Sequence, residues 1–212
     1  MIEYAKQIAY STTETVDFSY EMAKKYEDSE GCFVECGVAA GAQIIAMRAG
    51  APNKLIHAFD SFQGIPYPSN KDDQYPGLKK LSQEEQNALP DPGKQELKTT
   101  GVTCISVEDF KQHLINSGAG LDNLEIHEGW FEETLPNNEI GPIAILRLDG
   151  DLYNSTMVCL EYLFPKVISG GVVIVDDWQL LGCRYAVHDY FKGLQGVPFN
   201  VEYISNIAYF IK

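Results

Sequence analysis

Basic side chains are scarce in this sequence. Lys and Arg together number 16 against 30 Asp and Glu, which gives a formal net charge of -14 at pH 7. Proteins that bind nucleic acid neutralise backbone phosphates with a basic surface. The composition therefore argues against nucleic acid as a partner.

Long apolar runs are also absent. No stretch reaches the roughly 18 apolar residues that a transmembrane helix requires, and the opening Met1-Ile-Glu-Tyr-Ala-Lys lacks the basic and apolar segments of a signal peptide. The five cysteines are odd in number and show no zinc-type pair spacing, so we expect them to be reduced. These absences predict a cytoplasmic protein without membrane contact, folded as one domain over residues 1–212.

Apolar runs typical of buried strands alternate with segments of helical spacing. The runs Cys32–Cys36, Lys54–Phe59, Asn123–His127, Pro142–Leu146 and Val172–Val175 predict parallel strands. Two further runs, Phe199–Ile204 and Ile207–Ile211, are separated by a Ser-Asn dipeptide and predict a terminal β-hairpin. The order indicates an α/β fold: a doubly wound, Rossmann-like, mostly parallel sheet of seven strands that ends in an antiparallel hairpin.

Carboxylates follow two of these strands. Asp149 comes after the fourth strand, and Asp176 and Asp177 come after the fifth. Because ligands of open α/β sheets gather at the carboxyl ends of strands, these acids predict a divalent metal site, and oxygen ligands favour magnesium, calcium or manganese. Taken singly, Asp149 is also typical of a turn before glycine, and Asp177 of a helix N-cap. Asp151 is the reserve ligand.

The turn after the first strand indicates the class of cofactor. Glu35-Cys-Gly37-Val-Ala-Ala-Gly41 lacks the G-x-G-x-x-G spacing that admits a pyrophosphate. Asp60, at the end of the second strand, could accept hydrogen bonds from both hydroxyls of a ribose. The combination favours a cofactor with a ribose but no phosphates, although glycines here could serve helix packing alone.

A long segment rich in Pro, Gly and charged residues follows the second strand, over about residues 61–105. Insertions of this length in a compact domain are usually functional or disordered. Its position directly after the second strand predicts a lid over the site.

Several of these segments, in the same order, resemble the macrocin O-methyltransferase family, whose members methylate sugar hydroxyls of macrolide and aminocoumarin antibiotics. The resemblance extends from Phe33 to Tyr190 and rests on Phe33–Val38, Phe59–Pro66, Glu128–Pro136, Leu146–Tyr153, Asp176–Asp177 and Cys183–Asp189. One departure is Ala39-Ala40-Gly41-Ala42, where the family commonly has Trp-Arg-Gly-Gly.

The resemblance implies an O-methyltransferase that uses S-adenosyl-L-methionine and Mg2+ and acts on a sugar or glycoside hydroxyl. It implies Asp149, Asp176 and Asp177 as metal ligands and Asp149 as the general base. The cofactor residues that we expect are Glu35, Gly37, Gly41, Asp60, Ser61, Gly129, Trp130 and Asp149. The family also suggests a homo-oligomer.

Other residues and functions stay open at this point. His188 is a second candidate for the base, though a helical His followed by Asp189 is equally typical of a surface pair. Tyr153, Trp178 and Arg184 either line the acceptor pocket or pack. A catechol-like phenol is the alternative acceptor, and a metal-dependent nucleotide-sugar enzyme without S-adenosylmethionine is the alternative function.

Overall fold

The structure is a computed structural model that describes residues 1–69, 71–72, 98–195 and 200–212. Its strands are β1 (Cys32–Cys36), β2 (Ile56–Asp60), β3 (Leu124–Glu128), β4 (Ile143–Leu148), β5 (Val167–Val175), β6 (Glu202–Ile204) and β7 (Ile207–Ile211). They form one seven-stranded sheet in the order β3-β2-β1-β4-β5-β7-β6. The strands β1 to β5 pair in parallel, and β7 joins β5 and β6 antiparallel. The predicted fold class is therefore confirmed.

Helices cover both faces of this sheet. They are α1 (Ile2–Ile8), α2 (Thr13–Lys25), α3 (Ala42–Gly50), α4 (Val107–Ser117), α5 (Phe131–Thr134), α6 (Tyr153–Leu163) and α7 (Leu181–Gly193), with 3-10 turns at Leu135–Asn137 and Phe164–Lys166. Apolar residues of α1 to α4 form the core on one face, and those of α6 and α7 form the core on the other. None of the described helices is long and apolar enough to cross a bilayer.

The strand order reverses direction between β1 and β4, so their carboxyl ends flank a crevice. Both strands are buried along their whole length, as their near-continuous apolar sequences predict. Backbone hydrogen bonds extend the ladder beyond the strand ends: the amide of Asp149 donates to Cys36 (2.8 Å) and that of Asp176 donates to Leu148 (2.8 Å). These bonds hold the turns after β1, β4 and β5 side by side.

Two element boundaries differ from the sequence predictions. The strand β5 begins at Val167 instead of Val172, because the backbone around Gly170 and Gly171 pairs with Lys212 (2.8 and 2.9 Å) despite the low strand propensity of glycine. The sequence predicts a helix over roughly Thr156–Lys166, whereas α6 begins at Tyr153. Its first amide donates to Asp72, a buried side chain 81 residues away in sequence (2.7 Å).

The predicted lid falls largely on residues outside the described ones, namely 70 and 73–97. In the described part of this segment, Pro66 and Thr99 form an isolated antiparallel bridge. Phe199, where the sequence places the start of the hairpin, also lies outside the described residues. The helices α1 and α5 have no counterpart in the sequence predictions.

Candidate active site

A cavity of about 250 Å3 opens at the carboxyl ends of β1, β2, β4 and β5. Most of the residues that the sequence nominates line it: Glu35, Gly37, Asp60, Ser61, Trp130, Asp149, Asp176 and Asp177. Asp151, the reserve ligand, lines it as well. The crevice at the strand reversal is therefore where the candidate residues converge.

Gly37 lets the turn after β1 approach the end of β4. Its φ is +88°, and a Cβ at this position would lie 1.8 Å from the carbonyl oxygen of Asp149. Only glycine combines this backbone conformation with such a close approach. Gly37 thus brings the first turn and Asp149 together on one wall of the cavity.

Asp60 fixes the shape of the same turn. Its Oδ2 accepts hydrogen bonds from the amides of Val38 (2.8 Å) and Ala39 (2.9 Å), and its Oδ1 accepts one from the amide of Phe62 (2.7 Å). These three bonds hold the turns after β1 and β2 against each other. The sequence anticipates a ligand role for Asp60 but not this structural one.

Gly41 and Gly129 do not line the cavity, but each adopts a positive φ in a turn next to it. Gly41, with a φ of +86°, precedes α3, and a Cβ there would lie 2.8 Å from the Phe110 ring. Gly129, with a φ of +140°, donates its amide to the carbonyl of Asp60 (2.9 Å). This bond places the next residue, Trp130, at the cavity wall.

A buried ion network lies beneath the cavity. The side chain of Arg147 is fully buried; its Nε contacts Glu35 Oε1 (3.1 Å), and its Nη2 contacts Asp176 Oδ1. Burial is the main reason that the pKa of Glu35 rises to about 8, although the charge of Arg147 acts in the opposite direction. Arg147 is not among the predicted site residues, although a lone arginine inside the apolar run Ile145–Leu148 is a sequence signal of a buried, paired charge.

Three carboxylates converge above this network. Oxygens of Asp149, Asp151 and Asp177 lie within 4.8 Å of one another. Asp151 adopts a φ of +58° and donates its amide to Asp177 Oδ2 (3.0 Å), so the backbone here no longer continues the extended conformation of β4. Asp176 instead turns to Arg147.

This acidic group disfavours its own ionisation in the absence of a cation. Burial and the charges of Asp176 and Asp177 raise the pKa of Asp149 well above its usual value. Burial and the charges of Asp151 and Asp176 do the same to the pKa of Asp177. Arg147 offsets part of the negative charge, since its Nη2 lies 3.8 Å from Asp149 Oδ2. Three oxygen donors with excess negative charge fit a hard divalent cation such as Mg2+.

His188 does not join this site. It is exposed on α7, and its ring lies 5.7 Å from that of Trp178. Neither Trp178 nor Arg184 lines the cavity, and Arg184 donates to the carbonyl of Trp178 (3.0 Å). Tyr153 is buried and donates to Asp189 Oδ2 (2.9 Å). These side chains therefore contact one another or their neighbours outside the cavity.

The N-terminal segment contributes residues that the sequence analysis missed. Ile8, Tyr10 and Ser11, at and after the end of α1, line the cavity. The hydroxyl of Ser11 accepts a hydrogen bond from Gln43 Nε2 (2.9 Å), which ties the segment to α3. No motif marks this segment in the sequence, because its place depends on packing between α1 and α3.

Comparison with known proteins gives consistent results. A family model described as macrocin-O-methyltransferase (TylF) matches residues 21–212. The chain is 34% identical over 185 residues to the 8-demethyl-8-(2,3-dimethoxy-alpha-L-rhamnosyl)-tetracenomycin-C 4'-O-methyltransferase of Streptomyces olivaceus, covering 85% of this chain and 65% of that protein. It is 35% identical over 166 residues to the demethyldecarbamoylnovobiocin O-methyltransferase of Streptomyces niveus, covering 76% and 58%.

Among solved structures, the O-methyltransferase NovP superposes with a TM-score of 0.77 at 28% identity, covering 95% of this chain and 80% of that chain. The chain spans about three fifths of the length of the two curated relatives (65% and 58%). The resemblance stated from the sequence motifs is confirmed, because the match includes all of the residues that carry it. This chain belongs to the macrocin O-methyltransferase (TylF) family.

Proposed function

We propose that the protein transfers the methyl group of S-adenosylmethionine to a hydroxyl group of a sugar or glycosylated small molecule, with the help of a divalent cation. The observation that carries the proposal is one cavity in which the Gly37 turn, Asp60 and Trp130 face the carboxylates of Asp149, Asp151 and Asp177. One half suits an adenosine, and the other suits an acceptor hydroxyl. Both halves are required for methyl transfer.

The cofactor half offers separate contacts for the parts of S-adenosylmethionine. The Gly37 turn permits close approach of the backbone, and Asp60 Oδ1 retains acceptor capacity for a ribose hydroxyl beside its one backbone bond. The half-buried Trp130 offers an apolar surface for the adenine. Ser61 lines the same wall. When bound, the cofactor supplies a methyl group that is already activated by a sulfonium.

The acceptor half holds the proton chemistry. A sugar hydroxyl must lose its proton as its oxygen forms the new bond to the methyl carbon, and the leaving thioether departs neutral. Asp149 is the base that we propose, because its carboxylate lines the cavity beside the Gly37 turn and is 27% exposed there. Arg147, close beneath it, stabilises the charged form of Asp149 between turnovers.

A divalent ion at the acidic group would lower the pKa of an oxygen that it holds and orient that oxygen. Asp149 and Asp177 are proposed ligands on both the sequence and the geometry. For the third ligand, the sequence resemblance favours Asp176, whereas the ligand-atom distances favour Asp151. The carboxylate of Asp176 already compensates the charge of Arg147, which supports Asp151.

The class of acceptor is inferred from the relatives. One is named for a rhamnosyl-tetracenomycin and another for demethyldecarbamoylnovobiocin, and the chain is 34% and 35% identical to them. The first name supports a glycoside as the acceptor. The family resemblance also suggests a homo-oligomer, which sedimentation equilibrium would measure.

Calorimetric titration tests the cofactor and the metal separately. We expect S-adenosylmethionine to bind the metal-free protein and Asp60→Asn to weaken that binding. We expect Mg2+ binding to be lost in Asp149→Asn and Asp177→Asn. Asp151→Asn and Asp176→Asn then identify the third ligand, and His188→Gln serves as the control that retains both signals. Absence of cofactor binding would overturn the proposal in favour of a nucleotide-sugar enzyme.

Transfer of a labelled methyl group tests the acceptor. Rhamnosides with free 3- and 4-hydroxyls, a catechol and a nucleoside-diphosphate sugar are compared at equal concentration. Methylation of a rhamnoside that Asp149→Asn abolishes would support the proposal. Preferential methylation of the catechol would replace the sugar by a phenolic acceptor.

A further inference from the structure

We propose that the edge strand β3 and its neighbour β2 carry a second metal site, formed by His57, Glu125 and His127. The site would bind Zn2+ or another divalent cation that prefers imidazole ligands. The ring nitrogens of the two histidines and a carboxylate oxygen of Glu125 lie within 4.8 Å of one another. None of these residues lines the cavity described above. The proposal is independent of the methyltransferase function.

Strand register places all three side chains on one face of the sheet. His57 on β2 stands opposite Glu125 on the parallel strand β3, and His127 stands opposite Phe59. Because side chains alternate between faces along a strand, residues 57, 59, 125 and 127 point the same way. The donor atoms therefore converge through the regular geometry of two strands, without depending on a loop.

The distances match those of ligands around one small cation. His57 Nδ1 lies 3.1 Å from His127 Nε2 and 3.4 Å from Glu125 Oε2. Two nitrogens at tetrahedral corners around Zn2+ are separated by about 3.3 Å, given Zn–N bonds of about 2.0–2.1 Å. A cation bound by both nitrogens would replace the hydrogen bond between His57 Nδ1 and His127 Nε2.

The surroundings hold the two rings in place. The ring of His127 stacks on that of Phe59 with centroids 4.1 Å apart and an interplanar angle of 12°. His57 is buried (4% exposed), whereas the side chain of Glu125 is 57% exposed. Stacking on Phe59 restricts the ring of His127, burial restricts that of His57, and the exposed carboxylate leaves a route for the ion.

The donor set distinguishes this site from the acidic group at the cavity. Two imidazoles and one carboxylate suit Zn2+, Co2+ or Ni2+, whereas oxygen donors alone suit Mg2+. A bound ion would link β2 to β3, the last strand at this end of the sheet, just before the turn that carries Gly129 and Trp130. The site that we propose is structural, since it ties an edge strand to its neighbour.

Zinc competition with a chromophoric chelator tests the site on the chelator-treated protein. We expect His127→Gln and His57→Gln to weaken Zn2+ binding at least about a hundredfold, given that loss of mere second contacts costs about 10- to 100-fold. Glu125→Gln should weaken it about tenfold or more. His113→Gln, which changes a histidine paired with Tyr4, and the double variant Asp149→Asn/Asp177→Asn are the matched controls that retain binding.

Substitution by Co2+ gives a readout that reports ligand identity. Bound imidazoles should produce paramagnetically shifted ring N–H resonances in the proton NMR spectrum, two in the wild type and one in His127→Gln, and excess Mg2+ should leave them unchanged. Glu125 is exposed, so Glu125→Gln keeps the test valid even if the buried His57 variant fails to fold. Zinc affinity that is unchanged in both Glu125→Gln and His127→Gln, or that is lost in the Asp149/Asp177 variant, would overturn the proposal.

Discussion

Position 37 requires glycine for two reasons, its backbone conformation and the lack of space for a side chain. Its positive φ would strain any residue with a Cβ, and that Cβ would overlap the Asp149 carbonyl at 1.8 Å. Gly118, at the end of α4, has a similar φ of +82° with nothing within 4 Å of the corresponding Cβ position. The two glycines separate backbone strain from steric overlap.

Gly37→Ala should therefore destabilise the protein much more than Gly118→Ala. We expect a loss of roughly 1–2 kcal/mol for Gly118→Ala from strain alone, and at least about 3 kcal/mol for Gly37→Ala, because the backbone of the cavity wall must also move. Urea unfolding measures both. Equal losses in the two variants would contradict the steric argument.

Arg147 pairs with two acidic side chains that are almost completely buried, Glu35 and Asp176. Removing one partner of a buried ion pair leaves the other charge without compensation, at a cost of about 3–5 kcal/mol. Arg48 is a useful comparison, because it is also buried (5% exposed) but donates to the backbone carbonyls of Pro52, Lys54 and Asn123.

Arg147→Met should lower the free energy of unfolding by about 3–5 kcal/mol, and adding Asp176→Asn should recover part of that loss because the orphaned charge is removed. Arg48→Met should cost less, roughly 1–3 kcal/mol, since it leaves neutral acceptors behind. Denaturant titration of the single and double variants gives the coupling. Strictly additive losses in the double variant would show that Asp176 does not depend on Arg147.

At the scale of elements, α4 illustrates a helix whose start is encoded locally. The Ser106 hydroxyl accepts the amide of Asp109 (3.0 Å), as the Ser-x-x-acid pattern predicts. The helix then packs Phe110 and Leu114 near Gly41, at the start of α3. In contrast, the start of α6 depends on the distant Asp72.

Ser106→Ala should destabilise the protein by about 1 kcal/mol, because the amide that Ser106 capped loses its partner. Ser106→Asn supplies another capping oxygen, and its amide can still donate to the Asp109 carboxylate that the Ser106 hydroxyl contacts (2.8 Å), so it should retain most of the stability. Thermal unfolding of the three proteins compares them directly. If Ser106→Asn is as unstable as Ser106→Ala, the cap is not what fixes this helix.

At the scale of the whole molecule, the cavity joins both halves of the sheet. Its lining includes residues from the segments after β1, β2, β3, β4 and β5 and from the N-terminal segment around Ser11. A ligand that fills it must contact elements that are far apart in sequence. Binding should therefore stabilise the entire fold and not one loop.

S-adenosylmethionine at about one hundred times its dissociation constant should stabilise the protein by about 2.7 kcal/mol, which corresponds to a rise in Tm of about 5–10 °C for a chain of this size. Asp60→Asn should reduce the rise at the same concentration, measured against its own baseline. Adenosine triphosphate is the negative control, because the turn after β1 lacks the glycine spacing that binds phosphates. An equal shift with both compounds would contradict the phosphate-free interpretation of that turn.

Local patterns predict much of what positions the site. Continuous apolar runs indicate buried parallel strands, and the carboxyl ends of parallel strands meet at one sheet edge. The sequence alone therefore predicts that Asp60, Asp149 and Asp177 lie together, as they do at the cavity. The hairpin and the Ser106 cap also depend on residues only a few positions apart. Predictions of this kind succeed because strand and helix periodicity are properties of short segments.

Only the tertiary structure decided which side chains oppose one another across long stretches of sequence. It directed Asp176 to Arg147, turned Asp151 toward Asp177 through a positive φ, and brought Ser11 to the cavity wall. It also placed His57 against His127, 70 residues away. These contacts are determined by strand register, burial and charge compensation in the packed molecule, and no short segment of the chain contains that information.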